Sequence, residues 1–345
     1  MLRNRLPFVL TCLTLCLVTS SAASAQTDQP CPRYSAGSTI VEPEDLYSSH
    51  EVLHLNLTYL TRRDPSGNTL YCFVNSDGAQ GPTLHVWPGD QLIINFKNGL
   101  PADHSSASAH SMAGMVVTGS ASDSCGAMIM DNTSVNIHYH GTNISPTCHQ
   151  DEVIRTLVNA GESFQYNLSF PSNEPPGLYW YHPHVHGIAE AAVQGGASGA
   201  IVVEGIENIN PAVAGMPERI LVIRDNPVPG NPTPGGRIPS WDLSVNYIPV
   251  PYPDFTPVLA PMKPGERQFW RVVNASADTI LDLQLQFDGK AQPLQVIVLD
   301  GVPVDSQDGT AGGTILTKNH ILLAPEHAPN LLSRLPTRRS KMPPC

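Results

Sequence analysis

The chain has 345 residues, of which 41% are hydrophobic and only 14% charged, with a formal charge of −11 and 33 prolines beside 27 glycines. That length suits about two domains with a core of ordinary size. The frequency of proline and glycine argues against long helices or coiled coil and for short strands joined by turns. A surface this acidic does not draw nucleic acid or anionic lipid by its field alone.

Residues 1–25 read as a secretory signal peptide. Arg3 and Arg5 form the basic start, Leu6 to Val18 is an apolar run too short to span a bilayer as a helix, and Ala23-Ser24-Ala25 is a small-residue cleavage site. The mature protein is therefore expected to be secreted or periplasmic, with no membrane partner. In an oxidising compartment Cys31, Cys72, Cys125 and Cys148 can form two disulfides in any of three pairings, and Cys345 is left over. Asn56, Asn132, Asn143, Asn167 and Asn274 stand in glycosylation sequons, relevant only in a eukaryotic source.

Strand patterns follow. Val52 to Leu57 alternates, and Thr83 to Trp87 is joined to Gln91–Phe96 by Pro88-Gly89-Asp90, which predicts an antiparallel hairpin. Residues 101–134 are a long excursion rich in Ser, Ala, Gly and Met. Strands are then predicted at 135–140, 163–168, 177–182 and 199–203, with one helical turn within 188–198. This is a β-sandwich ending near Glu204. Gly205 to Gly215 reads as a linker. A second series is predicted at 219–224, 268–273, 281–287, 294–299 and 314–323, with a Pro/Gly-rich loop from Asn226 to Pro239. Pro264-Gly265-Glu266 echoes Pro88-Gly89-Asp90, which points to a duplicated domain type. The domains are thus 26–205 and 206–325, the second incomplete. Residues 326–345 are basic, proline-rich and aperiodic where an apolar strand should follow. They read as an aberrant tail, as a reading-frame shift near Pro325 would produce.

The histidines carry the chemistry. His138-Tyr139-His140 and His182-Pro183-His184 both lie at predicted strand ends. Residues i and i+2 of a strand face the same side, so each pair offers two imidazoles to one face. Imidazoles without acidic ligands favour copper or zinc over hard cations. Surface or hydrogen-bonded histidines would not account for two same-face pairs.

Asn136-Ile137-His138-Tyr139-His140-Gly141 resembles the His-x-His-Gly motif of the multicopper oxidases. Gly177 to His184 (GLYWYHPH) is similar to that family's second histidine motif. Pro82 to Phe96 resembles its first hairpin, and Gly195 to Glu204 its domain-one exit strand. The resemblance runs from about Leu53 to Leu323. It implies an all-β fold of tandem cupredoxin-like Greek-key β-sandwich domains and a copper cofactor. By family role His138 would ligate the type 2 copper, and His140, His182 and His184 the two type 3 coppers. Such a centre reduces dioxygen to water with electrons from a small reducing substrate, a phenol or a metal ion.

Asp151 lies where laccase-like members carry an acid that relays protons to the oxygen site, and its alternative is a plain loop residue. His186 reads as adjacent to the ligands or solvent-facing, Cys148 as a disulfide partner, and Trp180 and Tyr181 as core and wall. Met112, Met115, Met128 and Met130, with His104 and His110, offer soft ligands for Cu(I) in the excursion, but an ordinary insertion is the simpler reading. The family's third domain would supply the remaining ligands and the type 1 copper, which needs a Cys thiolate between histidines. After His186 only His320 and His327 remain, and Cys345 has no histidine neighbour. The chain is therefore expected to be an N-terminal fragment of an exported copper oxidoreductase, holding half the oxygen site and inactive alone. The alternative is a non-catalytic exported copper-binding protein. A two-domain oligomer that borrows ligands ranks last.

Overall fold

The computed structural model describes residues 29–102, 125–126, 129–228, 241–305 and 314–334. The signal-peptide reading, Met112, Met115, Met128, His104, His110 and Cys345 lie outside the described residues. Among the described residues, no helix is long and apolar enough to cross a membrane.

The first domain comprises β1 (Asp45–Tyr47), β2 (Val52–Arg63), β3 (Thr69–Asn75), β4 (Thr83–Val86), β5 (Gln91–Asn98), β6 (His138–His140), β7 (Ser163–Ser169), β8 (Gly177–His182), α1 (Ala189–Gln194) and β9 (Gly199–Val203). Two sheets face each other, in the orders β3-β2-β5-β7 and β1-β4-β9-β8-β6. The first sheet has one wet face. Along β7, Phe164, Tyr166 and Leu168 point inward while Ser163, Gln165, Asn167 and Ser169 are exposed, the period-2 pattern of a half-buried strand. β8 and β9 are buried at every position, because the sandwich core covers one face and the second domain the other.

The predicted hairpin does not form. β4 lies between β1 and β9 in one sheet, and β5 between β2 and β7 in the other. The turn itself is as expected: Asp90 N donates to Trp87 O at 3.0 Å, and the Asp90 carboxylate accepts Trp87 N at 2.8 Å. Turn chemistry reverses the chain but does not choose strand partners. Here it carries the chain across the core from sheet to sheet.

The second domain contains α2 (Ile206–Ile209), β10 (Glu218–Pro227), β11 (Trp241–Val245), β12 (Ile248–Val250), β13 (Arg267–Asn274), β14 (Leu281–Leu283), β15 (Leu285–Phe287), β16 (Lys290–Gln292), β17 (Leu294–Leu299), β18 (Val302–Pro303), β19 (Leu316–Lys318), β20 (Ile321–Leu323) and β21 (Pro329–Arg334). Its topology repeats the first. β2 pairs with β3 antiparallel and β5 parallel, and β5 with β7 antiparallel. β10 pairs with β11 antiparallel and β13 parallel, and β13 with β21 antiparallel. The turn before β13 repeats too: Glu266 N donates to Lys263 O, and the Glu266 carboxylate accepts Lys263 N.

Two expectations are corrected. The stretch 205–215 is no open linker: it forms α2 and a 3-10 turn at Pro211–Val213, with Ile206 and Val213 buried against Phe269, Ile297 and Leu332. The tail expected from 326 begins with a central strand. β21 is held between β13 and β17, with Leu331 in one apolar cluster and Leu332 in another. A strand covered on both faces has no polar-apolar alternation, so its sequence looks aperiodic. The second domain therefore runs at least to Arg334. The disulfides join Cys31 to Cys72 and Cys125 to Cys148, one of the three pairings left open by the sequence.

The domains meet through an apolar cluster of Leu178, Trp180, Ala200 and Val202 against Val222, Val273, Ala275 and Ala328. Beside it the buried Arg224 donates to Ser198 Oγ (2.7 Å) and Ser198 O (2.9 Å) and stacks on Tyr247. Each polar group is thereby satisfied within the joint.

Candidate metal centre

β6 and β8 pair antiparallel with His138 opposite His182, Tyr139 opposite Tyr181 and His140 opposite Trp180. Alternation sends Tyr139 and Tyr181 into the first-domain core. It leaves His138, His140, His182 and Trp180 on the other face. Ring centroids stand 5.4 Å apart for His138 and His140, 5.3 Å for His138 and His182, and 5.8 Å for His140 and His182. One ligand nitrogen from each of these three lies within 4.8 Å of the others. His184 follows just beyond β8, its ring 5.0 Å from that of His138. Its backbone N donates to Asn136 Oδ1 at 2.8 Å, so the asparagine of the first motif steadies the last histidine of the second. Sequence spacing did not assign that role to Asn136.

The ring hydrogen bonds set the tautomers. His182 Nδ1 lies 2.8 Å from Pro183 O, a carbonyl that only accepts, so Nδ1 carries the proton and Nε2 the lone pair. That Nε2 is buried and has no hydrogen-bond partner, on a residue 4% exposed. An unpartnered buried lone pair is costly unless something coordinates it. His138 Nδ1 lies 3.0 Å from Asp151 Oδ1, which also accepts Tyr139 N at 3.0 Å. Asp151 is therefore no idle loop residue: its side chain is 10% exposed and aims the His138 ring. A carboxylate on the far nitrogen is the usual support of a metal-binding imidazole.

Burial pushes the His182 pKa well down, reinforced by the neighbouring His138 and His140. Burial also lowers His140, against the pull of Glu326, and burial with His138 lowers His184. Neutral imidazole is the form that binds a metal. The donor set, the free lone pair and the fixed tautomers fit copper.

Trp180 is both core and wall. It packs in the interdomain cluster and stacks on His182 at 4.1 Å with planes 23° apart. His186 is exposed, and Cys148 is in its disulfide. Glu326, read from the sequence as the start of the tail, has Oε2 3.7 Å from His140 Nδ1. No spacing rule links residues so far apart in the chain.

Residues 128–208 match a family model described as multicopper oxidase. The chain is 23% identical over 267 residues to the multicopper oxidase MmcO of Mycobacterium tuberculosis, covering 70% of this chain and 45% of that one. Among solved structures, McoA multicopper oxidase from Aquifex aeolicus superposes with a TM-score of 0.60 at 18% identity, over 86% of this chain and 57% of McoA. The multicopper oxidase from Campylobacter jejuni gives 0.58 at 20% identity, over 87% and 55%. The chain spans less than half the length of the curated relatives it matches.

Proposed function

We propose that this chain, of multicopper oxidase type in sequence motif and with tandem cupredoxin-like domains, binds copper on His138, His140, His182 and His184 within an exported oxidoreductase that reduces dioxygen. The reading is carried by one observation: a buried, partnerless His182 Nε2 in a cluster with His138 and His140 nitrogens within 4.8 Å. Bound copper would supply the one-electron redox steps between a reducing substrate, a phenol or metal ion, and dioxygen. The chain's own residues do the rest. His182 and His140 stay neutral through burial, Asp151 orients His138, and Trp180 closes the wall behind His182 against water. Asp151 Oδ1, beside the centre, is also positioned to hold a proton for the oxygen site. Every cysteine among the described residues is in a disulfide. A thiolate copper ligand for electron entry therefore has to come from outside those residues. The two disulfides support export.

A second reading, an exported copper-binding protein without turnover, rests on the same cluster. The test is copper per chain in the secreted full-length protein and its His182→Ala variant, with oxygen uptake on a phenol and on Fe(II). Copper lost in His182→Ala together with oxygen uptake supports the oxidase. Copper without uptake selects the second reading. A wild-type chain that binds no copper sinks both.

A further inference from the structure

Glu326 reaches the histidine cluster from the second domain, in the turn between β20 and β21. Its φ is 79°, a region that non-glycine residues enter only when their surroundings impose it. The imposing groups are specific. The buried Asn274 donates Nδ2 to Leu323 O (3.1 Å) and Ala324 O (3.0 Å). Its backbone accepts Glu326 N (2.8 Å) and donates to His327 O (2.9 Å). Asp300 takes the next residues: Oδ1 accepts Ala328 N at 2.7 Å, and Oδ2 lies 2.7 Å from His327 Nδ1. Ala328 is buried beneath, in the same cluster as Trp180. The turn is braced on both sides, and its one unpartnered carboxylate faces His140.

The three clustered imidazoles share a pattern. His138 Nδ1 faces the Asp151 carboxylate at 3.0 Å, His182 Nδ1 faces Pro183 O at 2.8 Å, and His140 Nδ1 faces Glu326 Oε2 at 3.7 Å. The last distance is an ion-pair separation that a small side-chain rotation closes to a hydrogen bond, and the Glu326 side chain is 51% exposed and free to make it. We infer that Glu326 is a positioning residue, contributed by the second domain, that holds His140 as the Nδ1–H tautomer and leaves Nε2 for the metal. The inference rests on the copper-binding reading above. It makes one ligand of the centre depend on how the second domain docks.

The test uses the full chain. Long-range proton–nitrogen NMR of the metal-free protein reads each histidine's tautomer, and competition titration reads Cu(II) affinity. In Glu326→Ala, His140 is expected to lose its Nδ1–H preference while His138 and His182 keep theirs, and affinity to fall ~10–100-fold. Glu326→Gln, whose amide oxygen accepts the same bond, should keep the tautomer and most of the affinity. An unchanged His140 tautomer in Glu326→Ala overturns the inference. So does a Gln variant as weak as the Ala variant, which would make the carboxylate a ligand or a mere charge. A wild-type chain that binds no copper defeats the copper-binding reading, while the tautomer experiment on metal-free protein still decides the role of Glu326.

Discussion

Asp151 holds the His138 ring by its Nδ1 and Tyr139 by its backbone N, so one carboxylate aligns the first histidine pair. Asp151→Ala is expected to weaken copper binding by ~10–100-fold, measured by competition titration. Asp151→Asn retains an acceptor oxygen and should lose much less. Equal losses in the two variants would show that charge, not orientation, is what Asp151 supplies. His85 offers a second single-residue prediction, well away from the cluster. Burial alone would lower its pKa, but Asp45 at 3.1 Å and Glu204 at 2.6 Å outweigh that and hold it above its ordinary 6.5. The imidazolium thus ties β1 to the end of β9, with Tyr47 stacked on it at 4.2 Å. A raised folded-state pKa means that its stabilisation is full below about pH 6.5 and fades as pH rises through the elevated value. The margin of wild type over His85→Gln in urea unfolding should therefore shrink from pH 6 toward pH 9. A margin flat across that range would contradict the ion-pair account.

At the scale of elements, the outcome turned on how each strand is covered. β7 was legible because one of its faces is wet, and alternation announces that. β21 was not, because β13 and β17 flank it and both its faces are buried. Its importance can be measured. Leu331 is 1% exposed, and Leu331→Ala should cost about 2–5 kcal/mol in denaturant unfolding. Leu322, nearby in β20 and 65% exposed, should tolerate Ala within about 0.5 kcal/mol. Comparable values for the two would return Pro329–Arg334 to the status of a tail. β4 and β5 teach the complementary lesson. The Pro-Gly-Asp turn was read correctly, yet the strands it joins belong to different sheets, since strand partnership is decided by which apolar faces the core can accept.

Across the whole molecule, the metal face of the first domain is continuous with the domain joint. β8 begins at Gly177 against Gly301 of the second domain and ends at His182. A methyl on Gly177 would stand 2.8 Å from Gly301 Cα. Gly301 itself has φ 75°, and a methyl there would fall 2.2 Å from the Tyr179 hydroxyl. Gly301→Ala is accordingly expected to loosen the joint, seen as faster proteolysis between the domains and a larger radius in small-angle scattering. Unchanged compactness would mean that the contact is not what seats the second domain.

The two His-x-His pairs, the proline-glycine turns and the alternating strands were open to reading because each depends on neighbours a few positions away, where backbone period and turn geometry apply. The tertiary structure alone decided the register that sets His138 across from His182, the pairing of the cysteines, and the approach of Asp151 and Glu326 to separate imidazoles. Those are contacts between residues distant along the chain, and they are chosen by which buried faces pack together.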